Sequence, residues 1–181
     1  PAELMSRASA VGVRTLSITD HDTMAAVPEA MVLADSLGVK LLAGIEITAV
    51  RDGRDVHILG YFLTVHPPGL DTFLVAQRRH RSDRVRAMAK RLAALGIAVE
   101  VDGLLAERAA AARSPGRPHL AAALVAAKHA TSVRDAFDRW LGDGRAAWVP
   151  RRGLSPEQVI EVISSAGGVA SLAHPGLTGD R

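Results

Sequence analysis

The chain contains no cysteine. Disulfides, thiolate metal sites and cysteine nucleophiles are therefore excluded, and any metal must be held by His, Asp or Glu. Aromatic residues are scarce, with three Phe, two Trp and one Tyr in 181 residues. A core must then be built from small aliphatic side chains on repeated helices and strands, and the aromatic platform of an RNA-recognition module has no material. No run reaches the roughly 20 apolar residues that span a bilayer. The opening segment PAELMSRASAVGVRTLSITD lacks a charged region followed by an apolar one, so a cytoplasmic location is expected. A GxxxxGK[ST] loop is absent too, which removes support for an NTPase. The first residue is Pro1 rather than Met, which suggests part of a longer product.

What is present suits one globular domain with an insertion: 48% of residues are hydrophobic, and 22 Lys and Arg face 19 Asp and Glu for a formal charge of +3. Basic residues cluster from Arg78 to Arg91, where Arg78, Arg79, Arg81, Arg84, Arg86, Lys90 and Arg91 stand against the single acid Asp83. Such a run is either a solvated helix face or a surface for polyanions such as nucleotides or RNA.

Apolar periodicity predicts helices over 3–10 and 28–37 and strands over 14–19, 40–50 and 55–63, with the Arg51-Asp52-Gly53-Arg54 turn making a hairpin of the last two. From Pro67 to Pro150 the texture becomes Ala- and Arg-rich, with helices expected over 70–95, 102–113, 118–129 and 132–141. The strand and helix alternation then resumes: Ser155-Pro156-Glu157 opens a helix to about Ala166, and a strand over 168–173 ends in His174-Pro175. The expected organisation is α/β, with a first part at 1–66, a helical insertion at 67–150 and a later part at 151–181. Alternating strands and helices imply βαβ units and a parallel sheet or barrel.

Polar residues interrupt these strands at informative places. His21, Glu46 and His174 lie in or at the carboxyl ends of apolar strands, and His57 lies within another. Groups from several strands converge at that edge in parallel α/β folds. Burying several titratable groups together is costly unless a cation satisfies them, and imidazole with carboxylate suits Zn, Mn or Fe better than Ca or Mg. His66, His80 and His129 fall in a loop or on helices and are assigned no role.

The segments ITDHDT (Ile18–Thr23), GIEIT (Gly44–Thr48), VHILGYF (Val56–Phe62), GRPH (Gly116–His119) and LAHPG (Leu172–Gly176) occur in an order that resembles the PHP (polymerase and histidinol phosphatase) family. Its small nucleotide and RNA phosphoesterase branch is the nearest likeness. The resemblance implies a distorted (β/α)7 barrel, incomplete here at both ends, with a helical insertion and up to three divalent metal ions. It places His21 on one outer metal, Glu46 between two, and His57 and His174 on the other side, with Asp20 and Asp22 orienting His21. GRPH resembles the segment that carries a basic group to the substrate phosphate, so Arg117 and His119 are expected to bind phosphate; alternatively Arg117-Pro118 only opens a helix. The family's initial His-x-His and final Asp-x-His are not within the sequence, so weak metal binding by this polypeptide alone is expected.

The implied reaction is hydrolysis of a nucleoside 3',5'-bisphosphate or an RNA 5' end by metal-activated water, with nucleotide or short RNA as partner and neither membrane nor obligate protein partner. The alternatives are an inactive or accessory PHP domain that binds nucleotide or RNA, and an amidohydrolase-like C–N hydrolase.

Overall fold

The computed structural model describes residues 1–62 and 64–177; Leu63, within the strand expected over 55–63, lies outside them. The chain divides into two compact units, one made of Pro1–Val75 and Gly153–Arg181, the other of Ala76–Arg152. Among the described residues no helix is long and apolar enough to cross a membrane.

The first unit is built on a sheet of order β1-β2-β3-β4, with β1 Thr15–Ile18, β2 Lys40–Arg51, β3 Arg54–Phe62 and β4 Val169–Leu172. β1 runs parallel to β2, joined through helix α2 (Val27–Ser36), but β2–β3 and β3–β4 are antiparallel. The sheet is therefore mixed rather than parallel as the strand and helix alternation suggested. The reason is local: Asp52 and Gly53 both adopt positive φ (52° and 76°), as a two-residue hairpin turn demands, and such a turn can only reverse the chain. One consequence is functional. Because β3 runs backwards, its early residues lie at the edge where β1, β2 and β4 end.

Alternation along the strands separates the two faces. Ala43, Ile45, Ile47, Ala49, Ile58 and Phe62 form one core with Val159 and Ile163 of α7 (Pro156–Ser165) and with Leu70 and Leu74 at the start of α3 (Leu70–Ala94). α7 starts where its sequence dictates: Ser155 Oγ accepts from the Gln158 amide and the Gln158 side chain accepts from the Ser155 amide, a capping box worth about 1 kcal/mol. A smaller core joins Met5 of α1 (Ala2–Ala10) to Ile18, Ala30, Ala34, Val39 and Leu41. Gly44 allows β1 and β2 to close up, since a Cβ there would lie 2.1 Å from Ser17 Oγ and 2.9 Å from the Ile18 carbonyl oxygen.

The second unit comprises the rest of α3, α4 (Asp102–Ala110), α5 (Arg117–Ala126), α6 (Val133–Ala136) and a π-helical turn at Phe137–Leu141, with no strand among its described residues. Its own core is Val85, Met88, Leu92, Leu105, Leu120, Leu124 and Leu141. Three arginines of the basic run on α3 reach main-chain oxygens, while Arg79, Arg86, Lys90 and Arg91 are exposed. Arg84 Nε donates to the Val149 carbonyl at 2.8 Å, Arg81 to that of Pro115 at 3.5 Å and Arg91 to that of Trp148, while Arg86 faces Asp83 and Asp102 at 3.4 Å each.

Candidate metal centre

β1 ends at Ile18, yet an isolated parallel bridge pairs His21 with Glu46. The Glu46 amide donates to the Asp20 carbonyl at 3.0 Å and the Asp22 amide to the Glu46 carbonyl at 2.9 Å. Residues paired this way point to the same face, so His21 stands beside Glu46. Thr48, two residues further along β2, is directly opposite His57 on β3 and brings that imidazole to the same face. The Ala173 amide then donates to the His57 carbonyl at 2.9 Å, and His174 follows with φ 31°, turning its ring toward the others.

The four side chains meet at one carboxylate oxygen. Glu46 Oε1 is 2.7 Å from His57 Nδ1, 3.1 Å from His174 Nε2 and 3.9 Å from His21 Nδ1. His57 Nδ1 and His174 Nε2 are 3.0 Å apart, and the His57 ring lies edge-on to both other rings at 4.9 Å between centroids. Glu46 and His57 are 15% and 20% exposed, His174 and His21 43% and 48%, so the group opens to solvent on the His21 and His174 sides. One atom each from His21, Glu46 and His57 lies within 4.8 Å of the others.

This arrangement fits a divalent cation. Ligand bonds of about 2.1 Å set donor atoms about 3.0 Å apart at octahedral angles and about 3.4 Å apart at tetrahedral ones, and the Glu46, His57 and His174 atoms lie 2.7–3.1 Å apart. Two imidazoles and one oxygen, with a third imidazole adjacent, are a donor set for Zn, Mn or Fe. The His57 imidazole is held below its ordinary pKa, first by burial and then by the charges of His21 and His174, with Glu46 opposing. Neutral imidazole is the form that offers a lone pair to a metal.

Asp20 is exposed and contributes its carbonyl to Glu46. Asp22 is buried, and its carboxylate accepts the Thr48 amide at 3.0 Å, a hold on β2 beside Glu46. Thr48 and Thr23, both buried polar residues, were not singled out from the sequence. The alternation of GIEIT does place Thr48 on the Glu46 face, and that signal was there to be read.

Arg117 and His119 belong to the second unit. Arg117 opens α5, forms an ion pair with Asp143, reaches the Leu141 carbonyl at 3.4 Å and lies 5.7 Å from the Phe137 ring centroid. His119 Nδ1 is buried without a hydrogen-bond partner among the described residues. Its pKa is lowered chiefly by burial and then by the Arg108 charge, with the Gly116 carbonyl opposing and Arg81 adding a little.

Known proteins resemble this chain in sequence and in backbone. It is 37% identical over 178 residues to the 5'-3' exoribonuclease Rnm of Salmonella typhimurium, a match covering 97% of the chain and 60% of that protein. To the 3',5'-nucleoside bisphosphate phosphatase of Chromobacterium violaceum it is 32% identical, covering 97% and 61%. A phosphoribosyl 1,2-cyclic phosphate 1,2-diphosphodiesterase of Eggerthella lenta is 32% identical, covering 96% and 67%. A crystal structure assigned as a metal-dependent phosphoesterase from Bifidobacterium adolescentis superposes with a TM-score of 0.85 at 31% identity, over 99% of this chain and 63% of that one. No protein-family model matches the chain. The chain spans about three fifths of the length of the first two relatives. Similarity along nearly its whole length to these phosphoesterases, over 67% of one of them, shows that the chain belongs to the PHP family.

Proposed function

We propose that the chain is the larger part of a metal-dependent phosphoesterase that hydrolyses a phosphate ester of a nucleotide, either a nucleoside 3',5'-bisphosphate or the 5' end of an RNA. The observation that carries this reading is the convergence of three imidazoles on Glu46 at one sheet edge. Sheet and helices are read as part of a PHP-type (β/α)7 barrel, and 67–150 as its helical insertion, most of which falls in the compact unit Ala76–Arg152. A cytoplasmic location suits the substrate.

Divalent ions, Mn, Zn or Fe and up to three in number, supply an acidified water and neutralise charge on the phosphate. The chain's residues do the rest. Glu46 and His57 form the enclosed side of the site, and the more exposed His21 and His174 leave it open for substrate. Arg117 and His119 are proposed phosphate contacts, since a guanidinium can present two parallel N–H groups to phosphate oxygens. With no cysteine and no Ser-His-Asp arrangement read from the sequence, attack by water is favoured over a covalent route.

The test uses the full-length gene product. Charged with Mn, it should release phosphate from adenosine 3',5'-bisphosphate or shorten a 5'-phosphorylated RNA from that end. Glu46→Ala should abolish both activities and lower the bound metal measured by elemental analysis. Turnover of cyclic amides with phosphate esters untouched would replace this reading with C–N hydrolysis. Nucleotide or RNA binding without any turnover would make the domain an accessory one.

A further inference from the structure

In a parallel ladder, bonds alternate from strand to strand. Glu46 gives its N–H to Asp20, and its carbonyl takes the N–H of Asp22. The next rung should run from the Thr48 N–H to the Asp22 carbonyl. Instead, the Thr48 N–H donates to Asp22 Oδ1 at 3.0 Å. Asp22 has φ 50°, a left-handed conformation that turns the chain out of the sheet directly after His21. Its side chain is nevertheless 1% exposed, and Thr48 is equally buried.

We infer that Asp22 is a positioning residue whose carboxylate stands in for its own carbonyl as the last rung of the β1–β2 ladder. The substitution keeps Glu46 and Thr48 in sheet geometry while the chain leaves it, which fixes His21 at the strand end beside Glu46. Asp22 thus acts through main chain, on the Glu46 side of the cluster. A short carboxylate tolerant of positive φ meets both requirements, and a buried charge is tolerable because it accepts hydrogen bonds. Thr48 then faces His57 across the ladder, so one rung fixes neighbours of three of the four clustered side chains. A left-handed non-glycine residue costs free energy, and such costs gather where geometry matters.

The inference rests on the metal reading of the cluster, and the test separates the two. In the full-length protein, Asp22→Asn keeps both an acceptor oxygen and tolerance of positive φ; Asp22→Gly keeps only the second. Hydrogen exchange at the Thr48 amide, measured without metal, should stay slow in Asp22→Asn and become fast in Asp22→Gly. Zinc affinity, by competition with a chromophoric chelator, should change less than about 3-fold in Asp22→Asn and fall about 10- to 100-fold in Asp22→Gly. Equal zinc losses in both variants would mean that the negative charge matters and not the rung, overturning the inference. So would an unchanged Thr48 exchange rate in Asp22→Gly. Should Asp22→Gly not fold, Asp22→Asn still decides: fast Thr48 exchange in it refutes the rung. Glu46→Ala that retains zinc would refute the metal reading while leaving the exchange result to stand on its own.

Discussion

The two units use their charged residues in opposite ways. In the first, Glu46, His57 and His174 face one another across distances near 3 Å with His21 at 3.9 Å, where donors and acceptors cannot all be satisfied by each other. In the second, arginine after arginine ends on a main-chain carbonyl: Arg84 on Val149, Arg91 on Trp148, Arg108 on Ser114 at 3.1 Å. Satisfied cations close loops onto helices, whereas an under-satisfied cluster of lone-pair donors marks a place for a ligand. A charge run in sequence therefore says less about binding than a few polar residues set in apolar strands.

The largest effects should come from the two cores, and they test whether the units unfold separately. Leu124 and Ile163 are both fully buried, one in each unit. Leu124→Ala and Ile163→Ala should each cost about 2–5 kcal/mol. Both tryptophans, Trp140 and Trp148, lie in the second unit, so their fluorescence in urea reports that unit alone. Leu124→Ala should move the fluorescence midpoint, and Ile163→Ala should move mainly the transition seen by circular dichroism. A single transition shifted equally by both variants would show one cooperative unit and erase the comparison at the level of folding.

A smaller effect tests whether Arg117 belongs with the satisfied arginines or with the site. Its pairing with Asp143 and the Leu141 carbonyl suggests architecture, and its GRPH setting suggests phosphate. Removing a partly exposed pair should cost about 1 kcal/mol or less, so Arg117→Ala and Asp143→Ala should lower the urea midpoint alike. Their catalysis should differ. In the full-length enzyme Arg117→Ala should lower kcat/KM about 10- to 100-fold with metal content unchanged, the loss of one charge-assisted hydrogen bond. Asp143→Ala should leave it near the unaltered value. Parallel behaviour in both assays would reduce Arg117 to a helix-start residue.

Much of this arrangement was legible in advance because it depends on local chemistry. The Asp52-Gly53 hairpin, the Ser155 cap, the strands bearing Glu46 and His57 and the strand that leads to His174 all follow from short-range signals. Strand direction did not follow from alternation alone: the hairpin, read correctly, already required β3 to oppose β2, and the parallel expectation overlooked it. Helix ends in the second unit were blurred for a related reason. Helix 118–129 stops at Ala126 because Lys128 turns left-handed at φ 59°, which its Ala-rich sequence does not punctuate, and 132–141 divides into α6 and a π-helical turn with no Gly or Pro to mark the change. The Asp22 rung was invisible because it joins residues 26 apart through a side chain replacing a carbonyl.

The smallest effect concerns His119, whose protonation the fold opposes through burial and the nearby charges of Arg108 and Arg81. Its folded pKa lies below the ordinary 6.5, so between that value and the lower folded one the unfolded chain binds more protons than the folded chain. Stability from this source is complete above pH 6.5 and is lost as pH falls through that window. The tryptophan-monitored urea midpoint should therefore drop from about pH 7 to about pH 5, and His119→Gln should flatten that drop. His57 titrates in the same sense, but in the first unit, where these fluorophores do not report. Inorganic phosphate adds the decisive arm. An anion held among Arg81, Arg108 and His119 would favour the imidazolium, so phosphate should recover the midpoint at low pH in the unaltered protein and not in His119→Gln. Equal recovery in both would place the anion elsewhere and leave His119 without a phosphate role.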